Sequence, residues 1–260
     1  MNTPELIVAL DRPSLAESLA VLDRLPDAVR YVKVGLELFI AEGPAALRTL
    51  QLQRKNIFLD LKLHDIPNTV DRAVTAAAGL GVTLLTVHAG GGRAMLEAAV
   101  NALKPIRARG ADAPRLIAVT ALTSLNSADL EELGIQRSLP DHVLALGELA
   151  LASGIDGLVC SVHEAALLRK RFGPDPILIT PGIRPSYAQG ASTVAKEAMA
   201  DKPEGKPSGD TVADQKRIAT PTLAIQAGAS FLVVGRPILD APDPAAAATA
   251  ILREMEAASN

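Results

Sequence analysis

The stretch FLDLKLHDIPNT, Phe58 to Thr69, sets out the repeating unit of the chain: an apolar run, charges near its end, and a Pro67-Asn68 turn that closes it. Side chains of a strand alternate between faces, so Asp60 and Lys62 are expected to point one way while Leu59, Leu61 and Leu63 point the other. Working outward, similar runs occur at LIVAL (6–10), YVKVG (31–35), IFLDLK (57–62), TLLTVH (83–88), RLIAVTAL (115–122), GLVCS (157–161), PILITPG (176–182) and FLVVG (231–235). Their apolar, β-branched character suits strands buried on both faces. The segments between them, such as SLAESLAVLDRL and GRAMLEAAVNALKPIRARG, carry helical spacing. Eight β-then-α units in 260 residues predict one α/β domain over 1–260, a closed (β/α)8 TIM barrel. A doubly wound open sheet has the same alternation of elements and stands as the alternative.

One connection breaks the rhythm. Between Arg184 and Gln215 the chain is rich in Gly, Pro, Ser and charge, with STVAKEAMA as a candidate short helix inside it. Loops longer than about 12–15 residues in compact domains are commonly lids or binding loops, and a plain surface insertion fits this composition as well.

Composition narrows the function. A net charge of −3 leaves no basic field for nucleic acid, and 2% aromatic residues are too few for base stacking, so a small-molecule partner is expected. The single cysteine, Cys160, excludes an internal disulfide and fits a reducing compartment. No secretory signal opens the chain, and no window reaches the ~18 apolar residues of a membrane span. A cytoplasmic protein without membrane contact is the expectation.

In such barrels the chemistry gathers at the C-terminal strand ends, which here carry Asp11, Lys33, Asp60, Lys62, His88, Thr120, Thr123, Arg184 and Arg236. Taken singly, each charge reads equally as a solvated rim residue or half of a structural ion pair. Asp60 and Lys62 share a direction and a strand, and buried charges must be paired. With Asp11, Lys33 and Asp65 they are expected to converge on one mouth as an alternating Lys-Asp array. Adjacent carboxylates keep a partly desolvated lysine protonated, and a positioned ammonium can give a proton to a carbanion. Proton delivery to carbon, or removal from it, is the chemistry suggested.

A second signal lies in PGIR after the seventh run and VVGRPI after the eighth. Glycine allows close backbone approach and arginine offers a bidentate fork, a pairing suited to phosphate at these loops of a barrel. Tight turns with solvated arginines would leave the same residues. No HxH or HExxH spacing exists, so His64 and His88 read as structural and no metal is assigned. AGGGRAM (89–95) lacks the complete dinucleotide fingerprint and reads as a strand-to-helix turn, and Cys160 has no evident base partner.

These segments together resemble the orotidine 5′-phosphate decarboxylase family in its bacterial form. They are VALD (8–11), VKVGLELF (32–39), DLKLHDIPNTV (60–70), TALTS (120–124), TPGIR (180–184), DQKRIATP (214–221) and VVGRPI (233–238). The resemblance implies conversion of orotidine 5′-phosphate to uridine 5′-phosphate, the last step of uridine monophosphate synthesis, with no cofactor. It implies that Lys62 protonates C6 of the pyrimidine as carbon dioxide leaves, with Asp60 near the departing carboxylate. Lys33 would join the array and contact the ribose, and Asp11 would bind a ribose hydroxyl. Asp65 and Thr69 would reach across a homodimer interface into the partner's site, and Thr123 would meet the ring. Arg184, Gln215, Gly235 and Arg236 would hold the phosphate, covered by the 185–213 segment. That segment is longer than in many bacterial members and is the departure from the family pattern.

Two rivals remain beside this expectation. A Mg²⁺-dependent sugar-phosphate decarboxylase of the same superfamily shares the DxKxxD pattern, but typically carries an acidic metal ligand where this chain has Lys33. A regulatory barrel that only binds nucleotide has little reason to keep Lys33, Asp60, Lys62 and Asp65 together.

Overall fold

The computed structural model of the protein describes residues 3–185 and 218–259. The expected cover at 186–213, its candidate helix and Gln215 lie outside these residues.

The strands are β1 (Glu5–Ala9), β2 (Tyr31–Val34), β3 (Asn56–Leu63), β4 (Leu84–His88), β5 (Arg115–Val119), β6 (Gly157–Val159), β7 (Ile177–Thr180) and β8 (Phe231–Val234). All pair in parallel with their sequence neighbours, and β1 pairs with β8 through Glu5–Phe231 to Val8–Val234, which closes the barrel. Closure decides against the open sheet, and each of the eight apolar runs overlaps one strand.

Between strands run α1 (Leu15–Leu22), α2 (Leu36–Glu42), α3 (Pro44–Leu52), α4 (Pro67–Ala78), α5 (Gly92–Ala108), α6 (Ser127–Glu132), α7 (Leu139–Ala152), α8 (Val162–Phe172) and α9 (Pro221–Gln226). After β8 come α10 (Arg236–Leu239) and α11 (Pro244–Ser259), and a 3-10 turn at Ala89–Gly91 joins β4 to α5. Helix starts follow local chemistry. Ser14 accepts the Glu17 N–H, Ser138 that of Asp141 and Thr220 that of Leu223, each satisfying a donor the helix leaves open.

Strand alternation builds two apolar layers. Ile7, Ala9, Phe58, Leu84, Ile117, Ile179 and Val233 fill the barrel, while Leu6, Val8, Leu59, Leu85, Leu232 and Val234 face the surrounding helices. Both faces are therefore buried, which is why these runs read as continuously apolar. Between β6 and β7 the backbones approach so closely that a Cβ on Gly157 would fall 2.3 Å from the Ile177 carbonyl oxygen, so only glycine fits there.

Polar residues at the two barrel ends differ in use. At the N-terminal rim, Arg169 donates to the carbonyls of Gly228, Gly173, Pro174 and Pro176 and to the Ser230 hydroxyl, and Asp156 accepts from Arg107, Arg115 and the Leu116 N–H. These groups close loops onto strand starts. At the other rim the polar groups line a cavity. Among the described residues no helix is long and apolar enough to cross a membrane.

β3 departs from the regular strand expected of FLDLKL. Its register against β4 runs Phe58–Leu84 and Leu59–Leu85, then jumps to Leu63–Val87. Asp60, Leu61 and Lys62 thus stand opposite the single residue Thr86. The break is a β-bulge, and Lys62 sits in it with φ of +51°, in the left-handed region.

Candidate active site

The C-terminal mouth opens into a cavity of about 280 Å³. Asp11, Lys33, Asp60, Lys62, Thr123, Arg184, Gly235 and Arg236 all line it, above an apolar floor that includes Phe58, Val159, Ile179 and Val233. Eight sequence-predicted residues, from five strand ends and the loop after β5, therefore share one concave site.

The charges form a chain along one wall. The Lys33 ammonium donates to Asp11 Oδ1 at 2.8 Å and lies 3.9 Å from Asp60 Oδ2. Lys62 donates to the same Asp60 Oδ2 at 2.8 Å. Asp60 and Lys33 have side chains only 13% and 12% exposed, so each needs its partners, because an uncompensated buried charge costs about 3–5 kcal/mol. Alternation of sign along Asp11, Lys33, Asp60 and Lys62 meets that need within the chain.

Two further residues shape this wall. Thr86, fully buried, donates its hydroxyl proton to Asp60 Oδ1 at 3.0 Å and accepts the Lys62 backbone N–H at 2.8 Å. Gly35 lies beneath the first ion pair, where an added Cβ would fall 2.9 Å from Lys33 Nζ and 3.3 Å from Asp11 Oδ1. Sequence reasoning missed both: Gly35 follows directly on the strand bearing Lys33, a position that could have drawn attention, whereas Thr86 is an ordinary strand residue until its partners are known.

At the far side, the β7 loop turns at Gly182, whose φ is +81°. Ile183 then bridges to Ala219: the Arg184 N–H donates to the Ala219 carbonyl at 2.9 Å, and the Ala219 N–H to the Gly182 carbonyl at 3.2 Å. The Arg184 backbone is thereby anchored while its side chain faces the cavity. Arg236 approaches from the β8 side, at the first residue of α10 after Gly235.

Asp65 and Thr69 do not join this wall. The run from His64 to Thr69 is exposed, and the Asp65 carboxylate accepts the Ile66 N–H at 2.6 Å. Asp65, expected to converge on the same mouth, is exposed in the turn after the bulge and is not among the residues lining the cavity of its own chain. His88 caps the 3-10 turn by accepting the Gly90 N–H at 3.1 Å and stacks on His64 with centroids 5.0 Å apart. Burial, then the nearby His64, Lys62 and His142, hold its pKa below the ordinary 6.5. Among the described residues no group of three or more His, Cys, Asp and Glu side chains is placed to hold a metal ion.

The family model for the orotidine 5′-phosphate decarboxylase / HUMPS family matches residues 4–206 and 190–251. The chain belongs to this family. A relative from Sodalis glossinidius named orotidine 5′-phosphate decarboxylase is 46% identical over 251 residues, covering 96% of this chain and 90% of its own. One of the same name from Nostoc is 44% identical over 257 residues, covering 98% of both. Among solved structures, the orotidine 5′-phosphate decarboxylase of Lactobacillus acidophilus superposes with a TM-score of 0.79 at 38% identity, over 98% of this chain and 99% of that one. The chain and that structure thus share the fold along nearly their whole length.

Proposed function

We propose that this protein is an orotidine 5′-phosphate decarboxylase, a carboxy-lyase that forms uridine 5′-phosphate in pyrimidine synthesis, and that Lys62 is its proton donor. The observation that carries the reading is the alternating chain Asp11–Lys33–Asp60–Lys62 on the wall of a cavity that Arg184 and Arg236 also line, from the ends of β7 and β8. Two cations suit a phosphate at one end, and a partly desolvated ammonium suits proton delivery at the other.

In the reaction the bond between C6 and the carboxylate breaks and its electron pair stays on C6. A proton from Lys62 Nζ is delivered there, and solvent later restores the lysine. Asp60 stands beside the leaving carboxylate and holds Lys62 by its Oδ2. Charge fixed in advance favours the transition state over the bound substrate, whose like charge faces Asp60. Lys33 and Asp11 bind the ribose, Thr123 meets the ring, and Arg184, Gly235 and Arg236 hold the phosphate. Binding energy from this remote group supports chemistry at C6.

The reading includes independence of metal, since Asp11 and Asp60 already face ammonium groups, and a cytosolic homodimer. Support for the dimer comes from Leu36, Ile40 and Ile66, which are 50%, 79% and 65% exposed near the ends of β2 and β3. A second copy covering them would bring Asp65 and Thr69 of each protomer to its partner's cavity. The test is decarboxylation of orotidine 5′-phosphate in excess chelator, followed by loss of the pyrimidine ultraviolet band. Turnover is expected to persist; turnover only with added Mg²⁺, or none, would defeat the reading.

A further inference from the structure

We infer that Thr86 is a positioning residue of the decarboxylase reaction, acting through Asp60 and Lys62; this rests on the function proposed above. Three residues of β3 face Thr86 alone, so the parallel ladder has no regular partner for the Lys62 N–H. The Thr86 oxygen accepts it at 2.8 Å. An ionised carboxylate only accepts, so the single hydroxyl proton is directed to Asp60 Oδ1, 3.0 Å away. One buried hydroxyl therefore ties the backbone of the proton donor to the carboxylate that holds its side chain.

The geometry explains two otherwise unconnected features. Asp60 could turn about its side-chain bonds, but with Oδ1 held by Thr86 its Oδ2 is turned to Lys62 Nζ at 2.8 Å and toward Lys33 Nζ at 3.9 Å. Lys62 keeps a backbone with φ of +51°, which is unfavourable for an L-residue and persists only where surrounding contacts impose it. Thr86 supplies one of those contacts. It touches neither the proposed phosphate end nor the cavity surface, so its effect belongs to the array.

The test compares Thr86→Val, which keeps the shape and removes the hydroxyl, with Thr86→Ser, which keeps the hydroxyl. For Thr86→Val, kcat per folded enzyme on orotidine 5′-phosphate is expected to fall about ten- to a hundredfold, as for loss of a hydrogen bond to a charged group, with KM nearly unchanged. Thr86→Ser should restore most of it. Equal loss in both variants, a loss confined to KM, or a Thr86→Val kcat within about twofold of wild type would each overturn the inference. Should Thr86→Val not fold, Thr86→Ala replaces it in the comparison. A crystal structure of the variant decides independently of turnover: the Lys62–Asp60 contact should open, and its retention together with the left-handed Lys62 backbone would overturn the inference. Wild-type protein inactive on this substrate would instead count against the proposed function.

Discussion

Lys62 holds its ammonium 2.8 Å from the Asp60 carboxylate although the strand between them is bulged and the Lys62 backbone is left-handed. Two residues of a regular strand span roughly 6.6 Å, with their side chains nearly parallel. The bulge changes that relation, bringing one residue's backbone and the other's side chain to a common hydroxyl. The ion pair is thus a product of backbone geometry as well as residue type, and substitutions beneath the array should act on it without unfolding the barrel.

Gly35→Ala is the first such case. Its φ of −94° suits any residue, but the new Cβ would meet the Lys33 ammonium at 2.9 Å and must push it aside. The displaced atom is the flexible end of a side chain, so stability should change by no more than about 1 kcal/mol. Misplacing the group should lower kcat/KM about ten- to a hundredfold. Steady-state kinetics with a denaturant melt of the same sample checks both halves.

Arg236→Ala should raise KM and also lower kcat, with kcat/KM down about ten- to a hundredfold for the loss of a charged hydrogen-bond donor. The lower kcat follows if energy from the phosphate supports chemistry at C6. A change in KM alone would argue against that link.

His88 predicts a pH dependence of stability. Its folded pKa lies below the unfolded 6.5 because burial, and then neighbouring charge, disfavour the imidazolium. The unfolded chain therefore binds the proton more readily, so the His88 contribution is complete above about pH 6.5 and is lost as pH falls through 6.5 toward the folded value. His142 shifts in the same direction, through burial and Arg137. Melting temperature should fall between pH 7 and 5, and less steeply in His88→Asn, which keeps an acceptor for the Gly90 N–H. Equal slopes in the two proteins would exclude His88 as a source.

The proposed dimer predicts that activity and assembly fail together. In a dilution series measuring both mass and turnover, activity per protomer should drop over the concentrations at which dimers dissociate, since Asp65 and Thr69 then leave the partner's cavity. A fully active monomer would contradict a shared site.

Much of this was legible in the residues. The eight strands could be found because burial on both faces leaves uninterrupted apolar runs, and charges at their C-terminal ends stood out against that background. Closure was expected from the count of eight units and is borne out, but the residues alone did not exclude the open sheet, since the Glu5–Phe231 pairing joins opposite ends of the chain. The bulge was not legible: alternation alone makes Asp60 and Lys62 neighbours on one face, while the register shift depends on what β4 offers opposite. Thr86 escaped for the same reason, as a threonine within LLTVH is ordinary strand composition until its partners are known. Asp65 shows the reverse limit, because a charge three residues beyond Lys62 faces the surface once the chain turns at Ile66 and Pro67.

The most direct test of the account is the turnover of Lys62→Ala on orotidine 5′-phosphate, with uridine 5′-phosphate binding measured on the same preparation. Loss of the proton donor should lower kcat by about a thousandfold or more, near the upper range for general acid catalysis, while binding stays measurable through the phosphate end. Near-normal turnover by Lys62→Ala would contradict the assignment of the proton to Lys62.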